Sequence, residues 1–126
     1  MERTIALIDD SHTIRSILRK AVMMSNVGAK EFVEADNGQD GLDLVKRMRD
    51  QINLVIMDIK MPKMDGITML TEIRSAGIVN IPILVLSSTA DQQMQDTCKK
   101  LGAAAFLKKP FSHEDFKNVI EKILPA

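Results

Sequence analysis

Residues 54–57 read LVIM and residues 83–86 read ILVL, and the two runs are followed at once by polar residues, Asp58 and Ser87. Neither run carries a polar or charged side chain, so neither has a face to offer water. A short strand that is apolar throughout is buried on both sides, which in a small protein points to a parallel sheet covered by helices. Three further runs of strand character, Thr4 to Ile8, Glu31 to Ala35 and Ala104 to Leu107, bring the expected number to five. Glu31 to Ala35 sets Phe32 among acidic residues and is predicted as an edge strand that still meets water.

Segments of helical period separate these runs. Ile14, Ile17, Leu18, Ala21 and Val22 form one buried stripe, and Phe116, Val119, Ile120, Ile123 and Leu124 repeat it near the end of the chain. Ser112 and Asp115 precede the second stripe in a capping-box arrangement. The spacing predicts three more helices near Gly38 to Asp50, Gly66 to Ala76 and Asp91 to Leu101, with Gly77 and Gly102 as terminators. The fold class predicted is α/β, a five-stranded parallel sheet flanked by five helices, in one domain covering residues 1–126.

Composition narrows the function. The 126 residues are 45% hydrophobic and 27% charged, the balance of a globular domain. Seventeen basic residues offset seventeen acidic ones, so there is no general basic field for nucleic acid. The longest uncharged stretch, Ser75 to Ala90, is 16 residues broken by Asn80 and Pro82, so no membrane insertion is expected. The N-terminus, MERTIALIDD, lacks the pattern of a secretory signal, and a cytoplasmic location is expected. The single Cys98 reads as a small buried apolar residue and not as a reactive thiol.

In an open parallel sheet, ligands bind beyond the carboxyl ends of the strands where the strand order reverses. The residues at those ends are Asp9 and Asp10, Asp58, Ser87 and Ser88, and Lys108, Lys109 and Pro110. Should strands one and three be neighbours, three carboxylates meet. Two carboxylates about 5 Å apart repel by roughly 3 kcal/mol at an effective dielectric near 20, so protons, a lysine or a metal must offset them. An all-oxygen site with no Cys or paired His nearby suits Mg²⁺ better than zinc.

Each of these residues has an ordinary structural reading as well. Asp10 or Ser11 can cap the first helix, Ser88, Thr89 or Asp91 the fourth, and the segment from Asp58 through Pro62 to Gly66 can be a plain loop. Lys109 alone is a solvated side chain and Phe106 alone is core. Met57, Met61, Met64 and Met69 read as gap fillers, His12 and His113 are too isolated to act as ligands or bases, and Asp36 to Gly38 reads as a turn and nothing more.

The combination is more specific than its parts. LIDDS, MDIKMPKMDG, LSSTA and FLKKPF, all at strand ends and in this order, resemble the receiver domain of two-component response regulators. The resemblance covers essentially the whole chain and is nearest in layout to stand-alone, CheY-like chemotaxis receivers. It implies a flavodoxin-like sheet of order 2-1-3-4-5. It further implies that Asp58 accepts a phosphoryl group from a partner sensor histidine kinase. Asp9, Asp10, Asp58 and the backbone carbonyl of Lys60 would hold Mg²⁺, while Lys109 and Ser87 would contact phosphoryl oxygens.

Phe106 matches the switch aromatic, with Phe in place of the frequent Tyr. Lys60 and Thr89 stand where side chains tune dephosphorylation. The output implied is a downstream protein bound at the face of helix four, strand five and helix five, with a phosphatase as a further candidate partner and a monomer as the expected state. On this reading the chain phosphorylates and dephosphorylates itself and is not an enzyme acting on a separate substrate.

Chemotaxis or motility signalling is the expectation. Alternatives are a phosphorelay intermediate, a stress-signalling adaptor, or a Mg²⁺-dependent phosphohydrolase of the aspartyl-phosphate type. The last needs an acid two residues after the nucleophile, where Lys60 stands. An adaptor without the chemistry would have no need of Asp9, Asp10, Asp58, Ser87 and Lys109 together.

Overall fold

The computed structural model describes residues 2–89 and 91–125. Strands and helices alternate: β1 (Arg3–Ile8), α1 (His12–Met24), β2 (Ala29–Ala35), α2 (Gly38–Arg47), β3 (Ile52–Asp58), α3 (Gly66–Ser75), β4 (Ile83–Ser87), α4 (Gln92–Lys100), β5 (Ala105–Lys108) and α5 (His113–Ile123). The strands form one parallel sheet in the order β2-β1-β3-β4-β5, so both the expected fold class and the expected order hold.

The period of two in the buried strands divides the core. Ala6, Ile8, Val55, Met57, Ile83 and Val85 pack with Val45 of α2, Met69 and Ile73 of α3 and Cys98 of α4. Ile5, Leu7, Leu54, Ile56, Leu84 and Leu86 pack on the other side with Leu18 and Val22 of α1 and Phe116 and Ile120 of α5. Met57 and Met69 are buried and Met61 and Met64 lean on the first core, as gap fillers should. Cys98 is buried in the same core, and burial pushes its thiol pKa up.

Element ends differ from the sequence expectation where long-range contacts decide them. β2 starts at Ala29 instead of Glu31, because Ala29 pairs with Arg3. β3 runs from Ile52 to Asp58, and Asp58 itself pairs with Leu86. β5 is displaced by one residue, to Ala105–Lys108, with Lys108 opposite Ser87. α2 ends at Arg47, three residues short of Asp50.

Helix starts follow capping chemistry. Ser11, Asn37, Asp65, Asp91 and Ser112 each accept a backbone N–H three residues on, at 2.7–3.2 Å. The Asp36 to Gly38 segment is therefore more than the turn predicted, since buried Asn37 caps α2. Gly77 and Gly102, at φ +80° and +83°, end α3 and α4. Their N–H groups and those of Ile78 and Ala103 return to carbonyls of the last turn in paired bonds of 3.0–3.2 Å.

The loop from β3 to α3 is fixed by close approach. A Cβ on Gly66 would stand 2.5 Å from the Asp58 carbonyl oxygen and 2.8 Å from Ile59 Cα. Gly66 N–H meanwhile bonds the Ile59 carbonyl at 2.7 Å. Gly66→Ala is expected to lower stability by about 1–3 kcal/mol, the range for overpacking a filled interior. Urea denaturation measures it; an unchanged midpoint would show that the Asp58 backbone moves aside freely.

Candidate functional site

Register brings the acidic residues together. Ile8 pairs with Met57, so the residues that follow them, Asp9 and Asp58, leave adjacent strands at the same level. One carboxylate oxygen from each of Asp9, Asp10 and Asp58 lies within 4.8 Å of the others. Asp9 is 2% exposed, Asp58 is half-buried and Asp10 is exposed, so the cluster opens from a dry floor to solvent.

Lys109 offsets part of the charge of the three carboxylates. Its ammonium stands 3.3 Å from Asp9 Oδ2 and 3.2 Å from Asp58 Oδ2, bridging the two. Lys108, one residue earlier, is exposed, as the alternation of a strand requires. Backbone donors hold the remaining oxygens: Ser11 N–H bonds Asp9 Oδ1 at 2.9 Å, and Ile59 N–H bonds Asp58 Oδ1 at 2.8 Å. The peptide between Lys109 and Pro110 is cis.

The other predicted residues lie around this centre. Ser87 is buried, and its hydroxyl donates to the Thr89 carbonyl at 3.0 Å and accepts from Thr89 N–H at 3.1 Å. That hydroxyl thus closes its own loop and makes no hydrogen bond to the carboxylates. Lys109 N–H bonds the Ser87 carbonyl at 2.8 Å, joining the ends of β4 and β5.

Phe106 leans on the core beneath α4 and lines a recess of about 340 Å³ with Gln95, Cys98 and Lys99. Lys60 and Thr89 are exposed, and Lys60 forms no ion pair among the described residues. His12 and His113 are exposed at the first positions of α1 and α5. Ala90, the last residue of LSSTA, lies outside the described residues.

Sequence reasoning missed Arg15. One turn after the Ser11 cap, its guanidinium donates to the Asp9 carbonyl and pairs with Glu34 at 2.8 Å. Its position four residues after Ser11 was the available signal, since a helical side chain leans toward the N-terminus. The partner Glu34, on another strand, was not legible.

Residues 5–121 match the model of the response regulator receiver domain, and the chain belongs to this family of two-component signalling modules. Sporulation initiation phosphotransferase F of Bacillus subtilis (strain 168) is 31% identical over 125 residues, covering 99% of this chain and 96% of that protein. A Rhizobium etli protein described as "Probable chemotaxis protein CheY" is 31% identical over 123 residues, covering 97% and 92%. The CheX-CheY-BeF3-Mg+2 complex from Borrelia burgdorferi contains a chain of the same fold, with TM-score 0.89 and 25% identity over 98% of this chain and 90% of that one. Among the described residues, no helix is long and apolar enough to cross a membrane.

Burial raises the Asp9 pKa above its ordinary value and the Asp58 charge adds to the rise, against the Ser11 N–H and Lys109, which lower it. An acid whose pKa is higher folded than unfolded weakens the fold when ionised. That penalty is complete above the folded pKa and vanishes below the unfolded one. Asp9→Asn is therefore expected to raise the denaturation midpoint at neutral pH in chelator, with a gain that shrinks to nothing in acid. A midpoint lowered at neutral pH would mean that the Lys109 ion pair outweighs burial.

Proposed function

We propose that this receiver domain is a phosphorylation-dependent switch in which Asp58 accepts a phosphoryl group from a phosphohistidine of a partner kinase. The carrying observation is the Lys109 ammonium shared between Asp58 and buried Asp9 at the carboxyl end of the sheet. Asp58 Oδ1 is held by Ile59 N–H, and we assign the attack to Oδ2, the oxygen that Lys109 and not the backbone contacts. The Oδ2–P bond forms as the P–N bond breaks, and the imidazole leaves with the electron pair. Lys109, already at Oδ2, faces the charge gathering on the phosphoryl oxygens.

Asp9, Asp10 and Asp58 fit a hard divalent cation, because the donors are all oxygen and lie close enough to share one ion. We assign Mg²⁺ to them, with the Lys60 carbonyl as a further ligand. Bound there, Mg²⁺ supplies charge neutralisation to the transferring group. Asp9 and Asp10 would hold that charge beside Asp58, and the burial of Asp9 shields one side of the site from solvent.

Phosphorylation on this reading draws the Ser87 hydroxyl from Thr89 to a phosphoryl oxygen. The movement frees volume for Phe106 and alters the surface of α4, β5 and α5, where a downstream protein binds. The chain resets by hydrolysis or through a phosphatase and turns over no separate substrate. Chemotaxis or motility is the pathway we favour, supported by the likeness to CheY-type relatives. A phosphorelay role is the second reading, favoured by the likeness to the sporulation phosphotransferase over nearly its full length.

Intact-protein mass after incubation with a small-molecule phosphodonor and Mg²⁺ tests the chemistry. One added phosphoryl group is expected, absent with chelator and absent in Asp58→Asn; an adduct that persists in Asp58→Asn would reject the assigned acceptor.

On this reading Lys60, exposed two residues beyond Asp58, hinders the hydrolytic water. Lys60→Ala and Lys60→Asn are expected to lose the phosphoryl group several-fold faster than the wild type in a decay time course. Equal decay in all three proteins would remove Lys60 from the mechanism.

A further inference from the structure

The acidic pocket is reached from behind by a chain of polar contacts that runs to the edge of the sheet. Glu34 projects from edge strand β2 and receives two guanidinium groups from α1: Arg15 at 2.8 Å and Arg19 in a second, close ion pair. These contacts outweigh burial and hold the Glu34 carboxyl below its ordinary pKa, so it stays charged at neutral pH. Arg19 also lies over the Phe32 ring, 5.0 Å from its centroid, and ends there. Arg15 continues inward and donates through Nη1 to the carbonyl oxygen of Asp9.

That carbonyl belongs to the peptide joining Asp9 to Asp10. A peptide unit is planar, so fixing its oxygen fixes the N–H and Cα of Asp10 as well. The next peptide back is fixed too, because Asp9 N–H bonds the Ala35 carbonyl at 3.1 Å. Asp9 thus has its N–H, its C=O and carboxylate oxygen Oδ1 all engaged, and only Oδ2 faces Lys109 and Asp58. Asp10 is exposed, and no hydrogen bond of its own carboxylate is found among the described residues. The backbone that Arg15 holds therefore fixes the point from which that side chain starts.

We propose that Arg15, anchored by Glu34, is a positioning residue for the cation pocket: it locks the Asp9–Asp10 peptide so that both carboxylates converge on the Asp58 side. This rests on the divalent-cation reading given above. Arg15 touches neither the cation nor the phosphoryl group and acts through the main chain. Arg19 is its internal control, because it shares Glu34 and lies on the same helix but does not reach Asp9.

The test is a Mg²⁺ titration of the wild type, Arg15→Leu, Arg15→Lys and Arg19→Leu, followed by calorimetry and by the backbone amide resonances. Arg15→Leu is expected to weaken Mg²⁺ binding about tenfold, as loss of outer support to metal ligands does. It should also shift the Asp10 amide resonance before any metal is added. Arg19→Leu should leave both readouts at the wild-type position, although it too breaks an ion pair to Glu34. Arg15→Lys, which keeps the charge but not the planar fork, should fall between the wild type and Arg15→Leu, and it carries the comparison if the leucine variant does not fold.

Equal Mg²⁺ affinity in the Arg15 and Arg19 variants would overturn the proposal while leaving the metal reading intact. A wild type that binds no Mg²⁺ would overturn both.

Discussion

The ammonium of Lys109 lies between the carboxylates of Asp9 and Asp58, and the rest of the site is arranged around that one interaction. Two carboxylates at neighbouring strand ends repel strongly, more so when one is as buried as Asp9. A lysine with a fifth exposure, delivered from the end of β5, two strands beyond β3 and three beyond β1, offsets the repulsion without closing the site. Lysine suits this task because its charge is compact and its stem flexible. A guanidinium of fixed fork geometry sits instead where a backbone carbonyl must be pinned, as Arg15 does at Asp9.

The alternation of side chains along the strands separates two tasks. Asp9, Asp58 and Lys109 share the parity of Ile5, Ile56 and Leu107, which face α1 and α5. Ser87 and Phe106 belong to the opposite parity, and Phe106 packs beneath α4. Charge is thus gathered on one side of the strand ends, while the residues proposed to convey the change lie on the other. The two sides meet at the Lys109 N–H bond to the Ser87 carbonyl. In the proposed switch, that bond is where a shift of the β4 loop would reach the residue that holds the carboxylates.

Much of this was legible because burial on both faces leaves a plain mark. LVIM and ILVL admit no amphipathic reading, and the polar residue that ends each run marks the functional edge of the sheet. The four motifs located Asp9, Asp10, Asp58, Ser87, Lys109 and Phe106, and the structure places them at or beside one edge. What was hidden depends on register and on atoms far apart in sequence. Arg15 and Glu34 meet only because β2 lies beside β1 with Glu34 opposite Leu7. Gly38 looks like a turn residue, yet a Cβ there would stand 1.9 Å from the Met64 carbonyl oxygen of a loop 26 positions away. The direction of the Ser87 hydroxyl is set by its bonds to Thr89, and no spacing rule encodes it.

The distribution of burial gives the proposed switch a mechanical basis. Among the described residues, α4 buries only Cys98, whereas α3 buries Gly66, Met69, Leu70 and Ile73. An element with little buried apolar surface is the one displaced at least cost. Its C-terminal end is nevertheless tied down, because Arg74 of α3 donates to the carbonyls of Leu101 and Gly102 at 3.0 and 2.8 Å. The N-terminal end begins at the Asp91 cap, close in sequence to the Ser87 loop. In the proposed switch, a helix pinned at one end and lightly packed along its length would tilt about that end, and Phe106 lines the recess that such a tilt would reshape. The end of the sheet that gathers Asp58 and Lys109 therefore also adjoins the elements proposed to carry the change of surface.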